Sequence, residues 1–523
     1  MQVFLKYFQN SRNILLNFHL YNNMNNLKYA QVILALIINV LLLTNCKDFL
    51  DIRQEASVPS IGMDYGKAEN IFLPVSNAYA SMRSNSNHGF AYIGAFEITS
   101  DNADKGSTPE DSPMMIELDN FSYEPSNTLI NELWLGYFNI VSAANNALFQ
   151  MPLFEEALQS EENKKYTREC AAEAKVIRAY AYFNLTRLFG RVPIIKNLVT
   201  ADELTSFSQA ETNDLYEFIL KDLEEAIPLL PDSYTKEWAG RINKYTAMAI
   251  KAKVHLYRSE WDSVADLSDR IMASGRYVLL SSFREVFSID GKNSKESLFE
   301  IQSSTLGKSS GEATYIEYAF YQGPRGNTPG NMQGWGFCTP SDDLIQFFDD
   351  RGETVRAATT FLYRGTTTPE GDYIRETCAN PVYNGKVYTP SKYNNWSYNG
   401  YGFDQNVRIL RYSDVLLMFA EAKLNGATLG NTSGQTALSA VNEVRDRVRL
   451  SLLTDVTMQD VWDERRAELA LEEDRFFDLI RTGQAAEALG AKGFREDKHT
   501  VFPIPTTQMQ LNRNLEQNPG YTN

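Results

Sequence analysis

The sequence predicts a mainly α fold: pairs of antiparallel helices that carry one large, irregular, loop-rich insertion. Three observations predict it. Small and apolar residues recur every three or four positions in residues 168–189, 243–273 and 408–449, the rhythm of a helix face turned toward a core. Between about residues 276 and 406 that rhythm lapses, and Gly, Asn, Thr and aromatic residues crowd together. The composition, 43% hydrophobic and 22% charged over 523 residues, suits a chain able to bury a large core.

The first element is a signal peptide over residues 1–45. Met24 begins the stretch MNNLKYAQVILALIINVLLLTNC, in which Lys28 precedes an apolar run from Val32 to Leu43. That order and length suit export and fall short of spanning a bilayer, so Met24 is read as the true start. Leu43, Thr44, Asn45 and Cys46 resemble the lipobox of bacterial lipoproteins, with Asn45 departing from the small residue usual before the cysteine. Cys46 is therefore the expected lipidation site. Each buried methylene contributes about 0.8 kcal/mol, so acyl chains on Cys46 would hold the protein to a membrane without a transmembrane helix. The other cysteines, Cys170, Cys338 and Cys378, are odd in number, and a disulfide framework is not what holds this exported chain together.

Residues 46–66, polar and interrupted by Pro59, read as the lipidated N-terminus and tether, and residues 67–523 as a single body. A first helix over residues 67–82 leads into residues 85–125, rich in Ser, Asn, Asp, Gly and Pro, which read as a long loop. In residues 168–189 Ala174, Ile177, Ala181 and Leu185 share one helix face. Residues 243–273 read as a helix to Arg258, a tight turn, and a second helix from near Trp261. Residues 408–449 repeat the form around a polar loop. Alanine set opposite aromatic rings lets paired helices approach closely, as in tetratricopeptide-like hairpins. Such hairpins are expected in about 67–275 and 407–483, with the insertion over about 276–406 and a strand candidate at residues 297–302.

A formal net charge of -16, from 66 acidic and 50 basic residues, repels phosphate backbones and anionic lipid, and excludes nucleic acid as a partner. Aromatic residues reach 12%, with 28 Tyr and 29 Phe, more than a helical core needs. In YQGPRGNTPGNMQGWGF (321–337) and VYNGKVYTPSKYNNWSYNGYGF (382–403) the rings sit among amides and glycines. A pyranose stacks its apolar C–H face on such rings, while amides and carboxylates hydrogen-bond its hydroxyls. The candidate ligand-binding residues are accordingly Trp335, Tyr321, Trp396 and Tyr398, with Asn102, Asp104 and Arg325 as polar partners. For any single ring, covering the core is the competing role.

Residues 100–104, SDNAD, lack the glycine and twelfth-position glutamate of a calcium loop and read as a polar turn. In residues 462–483 Glu464 with Glu468, Glu472 with Arg475, and Asp478 with Arg481 stand three or four positions apart. That spacing predicts surface pairs along one helix ending at Gly483. No zinc-protease, nucleophile-elbow or Walker pattern is present in the sequence and the four histidines are scattered, so no enzyme, cofactor or metal is expected. A glycosidase, which needs two carboxylates without a fixed motif, is the catalytic alternative.

Several stretches, in this order over nearly the whole mature chain, resemble the SusD/RagB family of Bacteroidetes outer-membrane lipoproteins. They are CKDFLD (46–51), YAYFNLTRLFGRVPII (180–195), ILRYSDVLLMFAEA (409–422), VNEVRDRV (441–448), ERRAELALEEDRFFDLIRTG (464–483) and FPIPTTQMQLNRNLEQNPGY (502–521). The resemblance implies a SusD-like body with tetratricopeptide-like hairpins, lipid-anchored at the cell surface in the outer membrane. There it would cap a SusC-like TonB-dependent transporter, with the helical half against the transporter and the irregular half presenting the nutrient site. It further implies capture and delivery of oligosaccharides, or of peptides as in RagB-like members, and no catalysis. No binding residue carries over, because the family's ligand loops vary; the aromatic candidates rest on their chemistry.

Overall fold

The structure, a computed structural model, describes residues 62–304, 316–328, 330–393 and 404–522. The segment 1–45, Cys46, Trp396 and Tyr398 lie outside those residues.

Helices α1 (Leu73–Ser81), α2 (Thr128–Ala157), α3 (Glu161–Phe189), α4 (Thr212–Ala226), α5 (Lys244–Tyr257) and α6 (Trp261–Ala273) pack each against the next. Their starts are written in the sequence. Asn127 accepts the Leu129 N–H at 3.0 Å, Ser160 the Asn163 N–H at 3.1 Å, and Asn243 those of Tyr245 and Thr246 at 2.9 and 3.0 Å, each satisfying N–H groups that the first turn leaves unpaired. The short links after α2 and α5 make each following helix antiparallel to its predecessor. Ala143, Ala144 and Ala147 of α2 and Ala172, Ala174 and Ala181 of α3 are wholly buried, and their single methyl groups are what the close approach requires.

The insertion then leaves the array with α7 (Tyr318–Gln322) and α8 (Thr354–Thr360). The array resumes where α9 (Tyr412–Leu424) docks on α6 and carries α10 (Ala437–Arg447) and α11 (Met458–Leu469); α12 (Arg475–Arg481) follows. The described residues include three two-stranded antiparallel ladders: β1 (Ala103–Gly106) with β3 (Phe337–Pro340), β2 (Ser297–Ile301) with β6 (Val407–Arg411), and β4 (Phe361–Tyr363) with β5 (Val382–Asn384). Because β2 pairs with β6, Ser297 opposite Arg411 and Ile301 opposite Val407, the excursion returns to the point it left. Asp262 and Asp269 of α6 accept the N–H groups of Thr428, Leu429, Thr432 and Ser433, which fastens the polar loop between α9 and α10 to the preceding hairpin. Among the described residues no helix is long and apolar enough to cross a membrane.

Two expectations are corrected. Residues 85–125 are not one long loop: they hold helical turns at Asn85–His88, Phe90–Ile93 and Pro113–Asp119 and a π-helical turn at Gly94–Ile98. Their polar composition favours turns, but Ile93, Phe96 and Ile98 are wholly buried, and burial outweighs local propensity. Second, the charged pairs of residues 464–481 are not on the surface. Glu464 and Glu468 have no exposed area and Arg465 has 2%. The helix breaks at Leu471 (φ 61°) and Glu473 (φ 72°), so Glu472 turns to Arg411 at 2.6 Å and Lys386 at 2.7 Å, while Arg475 takes Asp101 at 2.7 Å. Asp478 and Arg481 do pair, at 2.6 Å, but under cover. Burial pushes the Glu468 carboxyl up, yet Arg447, Arg411 and Arg356 outweigh it and hold the group well below its ordinary value.

The π-helical turn sets Glu97 beside Glu473, both buried. Glu97 Oε2 accepts the Glu473 N–H at 2.7 Å and Tyr318 donates to Glu473 Oε1 at 2.8 Å, whereas Glu97 Oε1 and Glu473 Oε2 have no hydrogen-bond partner among the described residues. Burial raises both carboxyls; the charge of Glu97 raises Glu473 further, and the Glu473 N–H and Lys386 only partly offset the rise at Glu97. A raised carboxyl contributes stability in full below its unfolded pKa of about 4.3 and loses it as pH climbs through the folded value. Glu97→Gln, which cannot ionise, is therefore expected to raise Tm at pH 8 and leave it almost unchanged at pH 4 in thermal scans. An equal shift at both pH values would refute the reading.

Candidate functional site

The insertion and the N-terminal turns together form a cleft of about 370 Å³ lined by Phe90, Glu317, Tyr321, Trp335 and Phe337, a volume typical of small-ligand sites. Its inner wall is α7. Tyr318, Ala319 and Gln322 of that helix are buried, with Gln322 accepting from Asn384 at 2.8 Å. The helix is thereby fixed, and Tyr321 and the preceding Glu317 turn outward.

Glycines bring the second wall close. The chain reverses after Gly323, and the Trp335 N–H donates to the Phe320 carbonyl at 3.0 Å. A Cβ on Gly334 would stand 2.3 Å from that carbonyl oxygen and 2.5 Å from the Gly323 Cα, so no side chain fits. Gly106, at φ 68°, allows the same closeness across the β1–β3 ladder, where a Cβ would lie 2.4 Å from the Gly336 oxygen. The third wall is Phe90, whose ring lies 4.9 Å from that of Tyr321 and 4.8 Å, edge to face, from that of Phe337.

Trp335 is 42% exposed. It meets Phe320 edge to face at 6.1 Å, and the Arg325 guanidinium lies 5.3 Å from its ring centroid, a cation–π distance. Arg325 also donates to Ser107 Oγ at 3.0 Å and pairs with Asp111, which ties the tryptophan loop to the turn after β1. Tyr321 donates its hydroxyl to Glu317 Oε2 at 2.6 Å, and Asn85 donates to the same oxygen at 3.0 Å. Burial first, then the Glu317 carboxylate and the charge of Glu132, push the Tyr321 phenol up, so it remains a neutral hydrogen-bonding group.

Of the residues expected to bind ligand, Trp335, Tyr321 and Arg325 come together here. Asn102 and Asp104 do not. Asn102 is wholly buried and its Oδ1 accepts from Arg466 at 3.0 Å, an internal tie between the turn before β1 and α11. Asp104 lies beside Lys492 at 3.6 Å. The turn around residues 100–104 does wrap a cation, but it is that lysine: Lys492 Nζ donates to the carbonyls of Ile98, Ser100 and Ala103 at 3.2, 3.1 and 2.8 Å. Sequence reasoning missed Phe90, Phe337 and Glu317. Glu317 had a signal, standing one helical turn before Tyr321; Phe90 had none.

Comparison with known proteins agrees with this architecture. Residues 295–521 match the SusD family, and residues 48–256 match a family described as starch-binding associating with outer membrane. SusD-like protein P2 of Formosa agariphila is 29% identical over 481 residues, 86% of this chain and 91% of that protein. The starch-binding protein SusD of Bacteroides thetaiotaomicron is 24% identical over 413 residues, 67% of this chain and 72% of its own. A solved laminarin binding SusD-like protein superposes with a TM-score of 0.74 at 26% identity, covering 87% of this chain and 99% of that one. The matches to both halves, joined to the helical array and its returning insertion, place this chain in the SusD/RagB family.

Proposed function

We propose that this protein captures an oligosaccharide in the aromatic cleft at the cell surface and delivers it to a SusC-like TonB-dependent transporter, held to the outer membrane by acyl chains on Cys46. The observation that carries the reading is the convergence of Phe90, Tyr321, Trp335 and Phe337 with Glu317 in one open cleft: stacking faces for a sugar ring beside an acceptor for its hydroxyls. The starch- and laminarin-binding relatives support the same ligand class. Binding without hydrolysis is supported by the lining, in which Glu317 is the one carboxylate among the described residues, whereas glycoside hydrolysis uses a pair that flanks the scissile bond.

Calorimetric titration of the purified protein with soluble β-1,3- and α-1,4-glucan oligosaccharides tests the reading, with a mixed peptide pool run in parallel. Saturable heat from a glucan that is recovered at its original length is expected. Heat from the peptides alone would transfer the site to the RagB-like class, and shortened glucan would make the protein a glycosidase. The anchor is tested in cells fed a palmitate analogue, where Cys46→Ser is expected to abolish labelling.

A further inference from the structure

We infer that the cleft selects uncharged glycans and rejects polyanionic ones, with Glu317 as the residue that sets this preference; the inference rests on the glycan-binding reading above. Glu317 spends one oxygen, Oε2, on Tyr321 and Asn85. Its other oxygen takes no hydrogen bond and its carboxylate no ion pair among the described residues, although the residue lines the cleft. Glu132 of α2, whose charge reaches Tyr321, likewise has no hydrogen bond or ion pair there. Burial raises its carboxyl, as it does for a group without a cation to offset it.

Among the described residues, the two cations set against the cleft's rings, Arg325 and Lys105, do not reverse this sign. Arg325 is taken by Asp111. Lys105 lies 5.7 Å from the Phe337 ring but directs its ammonium at the carbonyls of Thr108 and Asp111, within the field of Asp111, Asp119 and Glu110. A ligand entering beside Trp335 therefore meets an anionic acceptor. A neutral sugar donates a hydroxyl to it. A uronate or a sulfate ester brings a second negative charge to a half-covered site, where repulsion is screened less than in bulk water.

A matched pair of ligands isolates the charge: one glucan oligosaccharide, and the same oligosaccharide oxidised to the carboxylate at C6. The neutral form is expected to bind at least tenfold more tightly at 20 mM salt, the gap shrinking severalfold at 500 mM. Glu317→Gln preserves an oxygen for Tyr321 and Asn85 but removes the charge and the acceptor that faces the ligand, so it is expected to weaken the neutral glucan and yet narrow the ratio of the two affinities by threefold or more. Glu132→Gln provides a second, independent reading of the same gap. Equal affinity for both forms, or a gap unmoved by either variant, would overturn the inference while leaving glycan binding intact. Binding of the oxidised form alone would also overturn it. If neither form binds, the glycan reading itself fails and this inference falls with it.

Discussion

Arg356→Ala is expected to lower the unfolding free energy by about 3–5 kcal/mol, the usual cost of removing one partner from a buried ion pair. The side chain has no exposed area. Its guanidinium meets Glu353 at 2.8 Å, Glu468 at 3.0 Å and Glu464 closer still, and all three carboxylates are as buried as the arginine. Arg411 and Arg447 also hold Glu468, and Arg351 and Arg445 hold Glu464. The variant thus weakens an already crowded network and leaves an unfilled space where a planar fork had reached three acceptors. Arg356→Lys should recover only part of the loss, since a single ammonium cannot reproduce that fork. The measurement is urea unfolding at neutral pH, with Lys165→Ala as the control: its pair with Glu169 is at the surface, 3.7 Å long, and contributes about 0–1 kcal/mol. The network also fixes a pH dependence. Because Glu468 is held below its ordinary value, its contribution is complete above the unfolded pKa of about 4.3 and is lost as pH falls through the folded value. The gap between wild type and Arg356→Ala should therefore narrow in acid. A loss under about 1 kcal/mol at neutral pH would mean that the remaining arginines suffice.

Trp335→Ala is expected to weaken glycan binding by about 1–3 kcal/mol, taking the scale known for planar rings stacked on aromatic side chains, or roughly 5- to 150-fold in Kd. The ring is 42% exposed, and its contacts are an edge-on phenylalanine and one guanidinium, so its removal should leave Tm almost unmoved. Trp335→Phe should retain part of the affinity. Trp238 makes a stringent control: it is 43% exposed, yet it packs on Phe72 at 5.2 Å and on Arg241, and it is not among the residues lining the cleft. Trp238→Ala should leave binding unchanged. Unaltered affinity in Trp335→Ala, with the circular dichroism spectrum preserved, would remove this cleft from the ligand's path.

Much of the array is legible in the sequence. The hairpin of α5 and α6 lies where periodicity and the turn after Arg258 put it, and the strand candidate at residues 297–302 became β2 (Ser297–Ile301). Yet α2, thirty residues long, went unread, because a helix buried over much of its surface shows apolar residues all round and not in a stripe. The cleft divided in the same way. The density of rings and glycines in residues 321–337 pointed to Tyr321, Arg325 and Trp335, but not to Phe90, which arrives from a turn that local composition makes look like a loop.

What the sequence alone determined are the quantities set by near neighbours: helix periods, caps, the glycines that permit a close return of the chain, and the chemistry of a ring-rich segment. Tertiary structure alone decided where charges and walls would meet. Glu468 stands at surface-pair spacing from Glu464 and Glu472, but its partners Arg356, Arg411 and Arg447 lie on other elements. Spacing along a helix says which side chains can touch one another. Only packing between elements says which of them lose water, and on that loss depend both the strength of an ion pair and the presence of a binding cleft.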